Sequence, residues 1–251
     1  MTLLDIGQLS FDAELVAFDK DGTLIDFEFM WGRLAVDWVE RLTAGQEDDS
    51  LQHELFSALG YDRYLARTLP QSPLAIATTG QLHTILAGTL FRLGTPWPEA
   101  ETRVRVVAQQ VGEQVAMAEL VRPTGDLPAL FGELRSAGVR SAVVTTDHRA
   151  ETEEQLRILG ITHLVDGLVC GDDGIPTKPA PDMLLTVCQR LGSEPARTMV
   201  VGDTVADMMM ARNAGAGLAV AVLTGAGERT QLGRLADAVL RSIDGIRVRT
   251  T

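Results

Sequence analysis

Short apolar runs alternate with helical patterns at the start of the chain and through its second half. The apolar runs lie at 15–18 (LVAF), 139–145 (VRSAVVT), 168–170 (LVC), 198–202 (TMVVG) and 218–222 (LAVAV). Helical patterns lie around 126–137, 149–159, 180–191, 204–214 and 228–236. Strands that alternate with helices of this length form a parallel sheet whose two faces are covered by the helices. The pattern therefore predicts an α/β fold with a doubly wound parallel sheet.

The segment between the first two predicted strands has a different pattern. Apolar residues there recur every three or four positions, which is the spacing of one face of a helix. The three helical stripes are Trp31, Leu34, Ala35, Trp38 and Leu42; Leu82, Ile85, Leu86, Leu90 and Leu93; and Val104, Val107, Val111, Val115 and Ala118. No convincing strand pattern interrupts these stripes. We therefore predict an all-helical domain at 27–121, inserted into an α/β core formed by 1–26 and 122–251.

Composition and charge narrow the class of protein. The 251 residues are 45% apolar and 22% charged, which is ordinary for a globular protein with a substantial core. The formal net charge of −12 argues against a general binder of nucleic acid or anionic membranes, although a few local cations could still hold a small anionic substrate. We see no signal-peptide pattern and no apolar run of about 18 residues, so we expect a cytoplasmic protein. Cys170 and Cys188 lack a CxxC spacing and are expected to be buried thiols.

The stretch FDKDGTL at 18–24 places two aspartates directly after the first predicted strand. As a calcium loop it would put Gly22 at the sixth position and Glu28 at the twelfth. Against this interpretation, Ala17 offers no ligand at the first position, and a strand precedes the loop where an EF-hand needs a helix. The stretch could also be a simple acidic turn.

A catalytic interpretation gives the same stretch a physical reason. Ligands of open α/β sheets bind beyond the carboxyl ends of the strands, where this loop lies. Two neighbouring carboxylates such as Asp19 and Asp21 resist ionising together, so one tends to keep its proton and can act as an acid beside an ionised nucleophile. Gly22 would let the backbone turn sharply behind the pair.

Three later segments place polar residues at comparable points of the predicted fold. Thr145 ends the second predicted strand and could donate a hydrogen bond to a phosphate oxygen. Lys178, which with Lys20 makes up all the lysines of the chain, precedes the prolines of a predicted helix and is a compact charge suited to a phosphate oxygen and a carboxylate together. Asp203 and Asp207 follow a strand and are expected in the first turn of the next helix, where they suit Mg2+. Taken alone, each residue has a structural explanation, such as a helix N-cap at Asp203.

Four motifs in this order, D-x-D-G-T-L, a strand-end threonine, K-P and G-D-x-x-x-D, resemble those of the haloacid dehalogenase superfamily of phosphohydrolases. The resemblance covers 15–24 and about 122–225, and the helical segment matches in position and character only. It implies a Rossmann-like catalytic core that carries a C1-type helical cap domain, which closes over the site and selects the substrate. One departure is Thr146, where relatives often have asparagine.

The resemblance also implies roles for individual residues. Asp19 is the expected nucleophile and Asp21 the general acid and base. The expected catalytic residues are Asp19, Asp21, Lys178 and Thr145; the expected substrate-binding residues are Thr145, Thr146, Lys178 and Gly22; and the expected metal ligands are Asp19, Asp21 through its main-chain carbonyl, Asp203 and Asp207, the last directly or through water.

The activity expected from the resemblance is Mg2+-dependent hydrolysis of a small phosphorylated metabolite, of the phosphoglycolate or sugar-phosphate type, through an aspartyl phosphate. Asp21 argues against carbon–halogen cleavage, because dehalogenating members lack it. Phosphonate cleavage needs a cap lysine for a Schiff base, and 27–121 contains no lysine. A phosphomutase of the β-phosphoglucomutase type shares all four motifs, so it remains an alternative, as does a catalytically silent scaffold. We expect no nucleic-acid or membrane partner, and the sequence does not predict the oligomeric state.

Overall fold

The structure is a computed structural model that describes residues 3–45 and 49–249 of the chain. These residues divide into two compact units. One unit runs up to Phe27 and resumes at Val121, and the other is Glu28–Leu120. The first contains the large sheet, and the second is mainly helical. The assignment of the two units as a catalytic core and a cap concerns function and stays a prediction.

Strands and helices alternate along the larger unit, whereas helices dominate the smaller one. The strands are β1 (Leu3–Ile6), β2 (Leu9–Asp12), β3 (Leu15–Phe18), β4 (Tyr61–Asp62), β5 (Arg67–Thr68), β6 (Arg140–Val144), β7 (Gly167–Val169), β8 (Thr198–Gly202), β9 (Leu218–Val222), β10 (Ala238–Leu240) and β11 (Ile246–Val248). The helices are α1 (Arg33–Leu42), α2 (Ser50–Leu59), α3 (Pro73–Ile76), α4 (Thr79–Arg92), α5 (Trp97–Gln114), α6 (Met117–Leu120), α7 (Leu127–Ser136), α8 (Arg149–Ile158), α9 (Asp182–Leu191), α10 (Val205–Ala214) and α11 (Arg229–Leu232). A π-helical turn at Glu28–Gly32 precedes α1.

The larger unit is built on a parallel sheet of six strands in the order β10–β9–β8–β3–β6–β7. Strand β3 is central, with Phe18 opposite Val143 of β6 and Val201 of β8. The chain places β6 and β7 on one side of β3, and β8 to β10 on the other. The strand order therefore reverses beside β3, and ligands of such sheets bind beyond the carboxyl ends of the strands at this reversal.

The predicted doubly wound sheet is confirmed, and its bounds are close to those predicted. Strands β3, β8 and β9 have the bounds predicted from the apolar runs, and α7 to α10 lie where helical patterns were found. The helix predicted at 228–236 was wrong in length, because α11 covers only Arg229–Leu232. Gly233 follows directly, and glycine is a poor helix former.

Sequence analysis missed the short strands of both units. β1, β2 and β11 form a separate antiparallel sheet in the order β11–β1–β2, and β10 adds an edge to the parallel sheet. In the smaller unit, the prediction of an all-helical segment was incomplete, because β4 and β5 pair as a hairpin with Tyr61 opposite Thr68. Runs of two to four residues with mixed burial carry too little periodicity to be recognised.

The calcium-loop interpretation of FDKDGTL was wrong. The buried strand β3 precedes the loop, where an EF-hand requires a helix. The carboxylate of Glu28, which would have closed the calcium loop, instead accepts hydrogen bonds from the main-chain N–H of Thr68 at 2.6 Å and from its hydroxyl at 3.0 Å. Glu28 therefore holds the β4–β5 hairpin.

Strand β3 is buried along its whole length, which fixes the start of the FDKDGTL loop. On one face, Leu15 and Ala17 pack into a core with α9 and α10. The side chain of Phe18, immediately before Asp19, stacks on Phe131 of α7 with ring centroids 4.9 Å apart. Both aromatic residues are 0% exposed.

The two cysteines have the predicted environment. Cys170 and Cys188 are buried and form no disulfide. Burial raises the pKa of the Cys170 thiol to about 11, so this thiol is protonated and unreactive at neutral pH.

Across residues 3–45 and 49–249, we find no helix with the length and apolar character needed to cross a lipid bilayer.

We expect Phe131→Ala to lower the free energy of unfolding by about 3–5 kcal/mol, because it removes a buried ring and leaves a cavity beneath the strand that carries Asp19. Denaturant unfolding measures the change. Leu185→Ala is the matched control, because Leu185 is 42% exposed on α9 of the same unit. An equally small loss in both variants would contradict the packing role assigned to Phe131.

Candidate active site

Three of the predicted site residues lie at the carboxyl ends of adjacent parallel strands. Asp19 directly follows β3, Thr145 directly follows β6 and Asp203 directly follows β8. The N–H of Asp19 donates to the carbonyl of Val201 at 2.8 Å, which continues the strand pairing one residue beyond β3. The parallel register thus brings three separated segments to one edge of the sheet.

The Lys178 ammonium joins two of the predicted carboxylates. Its Nζ lies 2.5 Å from Asp19 Oδ1 and 2.6 Å from Asp207 Oδ1, and its side chain is only 4% exposed. Lys178 lies in a turn before α9, which begins at Asp182 and not at the predicted residue 180. The side chain of Lys178 therefore reaches the site from a loop.

Asp203 is fully buried and lies against two glycines. Its Oδ2 accepts a hydrogen bond from the N–H of Ala226 at 3.0 Å, whereas its Oδ1 has no hydrogen-bond partner among the described residues. A Cβ atom added to Gly22 or Gly225 would overlap the Asp203 carboxylate, and Gly22 has a left-handed φ of +82°. A buried carboxylate oxygen without a donor is costly unless a proton or a cation meets it.

Asp207 belongs to the capping box of α10. Its Oδ2 accepts hydrogen bonds from the N–H of Thr204 at 3.0 Å and from the Thr204 hydroxyl at 2.5 Å. The prediction that both aspartates lie in the first helical turn was wrong for Asp203, because Thr204 is the N-cap and Val205 is the first helical residue. The alternative of Asp203 as N-cap was also wrong, since the threonine hydroxyl accepts the N–H of Asp207 at 3.2 Å.

The carboxylate cluster fits a divalent cation. Asp19, Asp203 and Asp207 each offer an oxygen, and these oxygens lie within 4.8 Å of one another. Oxygens that surround Mg2+ at about 2.0–2.1 Å lie about 3–4 Å apart, so a small contraction would complete the set. Asp203 has the unpartnered oxygen, whereas both Asp207 oxygens are engaged, one by Lys178 and one by Thr204. Asp203 is therefore better suited to direct ligation, and Asp207 to ligation through water.

A second cluster of charges holds Asp21. The Nζ of Lys20 lies 2.8 Å from each carboxylate oxygen of Asp21 and 2.8 Å from Asp147 Oδ2. The Lys20 side chain is 0% exposed, whereas those of Asp21 and Asp147 are 15% and 19% exposed. Sequence analysis gave Lys20 and Asp147 no role. The available signal was a lysine placed between two candidate aspartates in a chain that uses arginine at nearly every other basic position.

The remaining predicted residues differ in their surroundings. Thr145 is buried, and its hydroxyl accepts a hydrogen bond from the N–H of Asp147 at 3.2 Å. Thr146 has an exposed side chain, and its backbone packs against Gly171. Among the described residues, the hydrogen-bond network connects Thr145, but not the side chain of Thr146, to the charged clusters.

Burial raises the pKa values of the carboxyls nearest to Lys178. It raises the pKa of Asp19 to about 6, with the Lys178 charge opposing the shift and the Asp207 charge adding to it. Burial, together with the charges of Asp19 and Asp207, raises the pKa of Asp203 well above its ordinary value. Burial alone would lower the pKa of Lys178, but its two carboxylate partners raise it, so Lys178 stays charged at neutral pH.

The Lys20 cluster separates the two aspartates that flank the lysine. Burial raises the pKa of Asp21 to about 8, with Lys20 opposing the shift and Asp147 adding to it. Burial also acts to raise the pKa of Asp147, but the Lys20 charge and hydrogen bonding outweigh it, and the net shift is downward. At neutral pH, Asp21 therefore carries a proton beside an ionised Asp147.

Comparisons with known proteins identify the family of the chain and several similar proteins. A family model of haloacid dehalogenase-like hydrolases matches residues 13–215. N-acetylmuramic acid 6-phosphate phosphatase of Pseudomonas aeruginosa is 31% identical over 130 residues, which are 52% of this chain and 57% of that protein. The chain therefore spans little more than half the length of this curated relative.

Two further proteins match over nearly the whole chain. A plasmid-encoded phosphoglycolate phosphatase of Cupriavidus necator is 26% identical over 249 residues, covering 95% of this chain and 93% of that protein. The crystal structure of a protein from Haemophilus somnus, described as a predicted phosphoglycolate phosphatase, has a TM-score of 0.68 at 18% identity and covers 94% of this chain and 96% of that one. At this identity, the structural match establishes the fold alone.

We expect Mg2+ to raise the melting temperature of the parent protein but not that of Asp203→Asn. Without metal, an ionised Asp203 is buried among other carboxylates, so its raised pKa means that stability present at low pH is lost as pH rises. The amide variant should therefore melt higher than the parent in chelator at pH 8. Thermal unfolding with and without Mg2+ measures both effects.

Asp5→Asn is the matched control, because the Asp5 side chain is partly exposed and pairs with Arg249 in the same unit, so its replacement should leave the Mg2+ response unchanged. An equal Mg2+ response in the parent and in Asp203→Asn would contradict a cation site at Asp203.

Proposed function

The chain belongs to the haloacid dehalogenase-like hydrolases, and we propose that it is a Mg2+-dependent phosphatase that hydrolyses a small phosphorylated metabolite through an aspartyl phosphate on Asp19. The observation that supports this proposal most strongly is the buried contact of Lys178 with Asp19 at 2.5 Å and Asp207 at 2.6 Å, with an oxygen of Asp203 in the same cluster. In this arrangement a permanent positive charge lies beside the carboxylate that we propose as the nucleophile.

Asp19 is the proposed nucleophile. A carboxylate oxygen of Asp19 attacks phosphorus, the ester P–O bond breaks, and its electron pair moves to the leaving oxygen. The attack brings an anion towards an anionic phosphate, so positive charge must offset the repulsion. Lys178 supplies a permanent charge at this point, and the pKa of about 6 for Asp19 leaves it largely ionised at neutral pH.

Asp21 is the proposed general acid and base. Its pKa of about 8 keeps the carboxyl protonated at neutral pH, so it can donate the proton that the leaving oxygen needs. Asp21 then takes a proton from water, and the water oxygen attacks phosphorus. The second attack breaks the bond to Asp19 and releases inorganic phosphate.

The proposed phosphate-binding residues lie at a strand end and in the neighbouring loops. The Thr145 hydroxyl accepts a hydrogen bond from Asp147 and can donate its own hydrogen to a phosphate oxygen. Lys178 would contact the same phosphate, as the family resemblance implies. Thr146 would assist through its backbone. The Gly22 N–H already donates to the carbonyl of Ile25 at 2.7 Å, so Gly22 would contribute by leaving room for the Asp203 carboxylate, beside which a side chain does not fit.

A divalent cation completes the proposed site. Asp19 and Asp203 would hold it with their side chains and Asp21 with its main-chain carbonyl, while Asp207 would act through water. When bound, Mg2+ would supply positive charge that polarises the phosphoryl group.

The proposed substrate is a small phosphate ester. Two relatives are named for phosphoglycolate and for N-acetylmuramic acid 6-phosphate, both small phosphorylated acids. A net charge of −12 disfavours nucleic acid as a substrate. The helical unit has the expected role of selecting among small esters.

We expect the parent protein to release phosphate from at least one ester in a panel of phosphoglycolate, N-acetylmuramic acid 6-phosphate, sugar phosphates and nucleoside monophosphates with Mg2+. Asp19→Asn should abolish this release while its circular dichroism and melting behaviour stay close to the parent's, because an amide cannot form the aspartyl phosphate.

Asp5→Asn again serves as the control and should keep full activity. Retained turnover in Asp19→Asn would refute the nucleophile assignment. Isomerisation of a sugar phosphate without phosphate release would favour a mutase, and inertness towards the whole panel would favour a scaffold.

We expect a bell-shaped dependence of kcat/KM on pH. Activity should rise as Asp19 ionises, at or below pH 6 because bound Mg2+ favours the ionised carboxylate, and fall as Asp21 loses its proton near pH 8, because catalysis needs an ionised nucleophile and a protonated acid. Initial rates from pH 5 to 10 measure the profile. In Asp21→Asn the alkaline limb should disappear from the residual activity, and an unchanged alkaline limb would exclude Asp21 as its source.

A further inference from the structure

The charge cluster around Lys20 has a geometry that the steps above do not use. The Lys20 Nζ lies 2.8 Å from Asp21 Oδ1, 2.8 Å from Asp21 Oδ2 and 2.8 Å from Asp147 Oδ2. Lys20 donates hydrogen bonds to the two oxygens of Asp21 and is ion-paired with Asp147. Because the Lys20 side chain is also 0% exposed, it can act on a substrate only through the carboxylates that it holds.

Main-chain hydrogen bonds fix the position of Lys20. The Lys20 carbonyl accepts the N–H groups of Leu24 at 2.8 Å and Ile25 at 3.0 Å, which winds the loop after β3 into a tight turn. The lysine side chain therefore starts from a fixed point of the backbone, although the loop around it is irregular.

Main-chain hydrogen bonds also fix Asp147. Its carbonyl accepts the N–H of Gly171 at 2.8 Å, and its own N–H donates to the hydroxyl of Thr145 at 3.2 Å. The contact between Lys20 and Asp147 thus connects the loop that carries Asp21 to the strand end that carries Thr145. The acid and a proposed phosphate-binding residue are held by one network.

Stability is a poor explanation for this cluster. Taking an ammonium and two carboxylates out of water carries a large desolvation penalty, and apolar side chains of similar volume often stabilise a core at least as well. Orientation is a better explanation, because proton transfer needs the acid within about 2.6–3.2 Å of the atom that it protonates. A carboxyl held on both of its oxygens has little freedom to turn away.

From this geometry we infer that Lys20, paired with Asp147, is a positioning residue that fixes the Asp21 carboxyl for proton transfer to the leaving oxygen. The inference rests on the proposed function, in which Asp21 protonates that oxygen. It has a consequence that a purely structural role lacks, namely a dependence on the leaving group. An alkyl phosphate releases a strongly basic alkoxide that needs the proton, whereas 4-nitrophenyl phosphate releases a weakly basic phenolate that needs little help.

The test measures kcat and KM for an alkyl phosphate from the panel and for 4-nitrophenyl phosphate, both with Mg2+. Lys20→Met should lower kcat for the alkyl ester about 10- to 100-fold more than kcat for the aryl ester, with KM changed little, because it disables part of a general-acid contribution of about 10²–10⁴. Asp147→Asn should shift the same ratio in the same direction by a smaller factor. In an Asp21→Asn background, Lys20→Met should not change the ratio further.

Arg197→Gln is the control variant, because Arg197 pairs with Asp12 at 2.9 Å and Glu14 at 3.0 Å in the same unit. It should leave the alkyl-to-aryl ratio at the parent value. If Lys20→Met does not fold, the alkyl-to-aryl ratio is measured in two other variants. These are the single variant Asp147→Asn and the double variant Lys20→Met/Asp147→Asn, which keeps the net charge of the cluster.

The outcomes separate this inference from the proposed function. A folded Lys20→Met protein that loses activity equally on both esters would overturn the positioning role while leaving the phosphatase assignment intact. A ratio that stays at the parent value in Asp147→Asn and in the double variant would do the same. A parent protein that hydrolyses no ester would overturn the proposed function, and this inference with it.

Discussion

A buried ammonium shared by two carboxylates is the interaction on which the site depends. Lys178 contacts Asp19 and Asp207. A third carboxylate, Asp203, lies beside them, and one of its oxygens has no hydrogen-bond partner in the part of the chain that the structure describes. Burial raises the pKa values of Asp19 and Asp203, and repulsion from the neighbouring carboxylates adds to the shift. One ammonium also leaves a deficit of positive charge among the three carboxylates. A proton can fill that deficit, and so can a cation. Because a proton and a cation compete for the same carboxylates, the charge of the cluster depends on pH. A cation bound there would also attract an anionic phosphate.

The sheet supplies the rigidity that this charge cluster requires. Repulsion among buried carboxylates would spread the strand ends apart if the strands were free to move. Strand β3 prevents this, because it is hydrogen-bonded on both sides and buried on both faces, with Phe18 stacked on Phe131 directly beneath Asp19. The apolar core thus stabilises an arrangement that is unfavourable by itself, which is a common relation between a scaffold and its active site.

The sequence predicted those elements whose pattern of apolar residues is long enough to be recognised. Long buried runs such as LVAF and LAVAV mark central strands, so the parallel sheet and the strand-end position of Asp19 could be predicted, whereas the short strands β1, β2, β10 and β11 could not. The clustering of Lys178 with Asp19 followed only from motif order. The pairing of Lys20 with Asp147 joins residues that are 127 positions apart (147 minus 20). The rarity of lysine in the chain and the two flanking aspartates mark Lys20 in the sequence, but nothing near Lys20 in the sequence identifies Asp147 as its partner.

The chain's use of basic residues links the two clusters. It contains 22 basic residues, of which only Lys20 and Lys178 are lysines, and both lysine side chains are buried against pairs of carboxylates. Arginine presents a wide planar fork, whereas an ammonium is compact and can face two carboxylates that approach from different directions. One lysine lies with the nucleophile and the other with the acid. Although each aspartate contacts a buried lysine, Asp19 is largely ionised near neutral pH and Asp21 is protonated. Around Asp21, burial and the charge of Asp147 raise the pKa more than the charge of Lys20 lowers it.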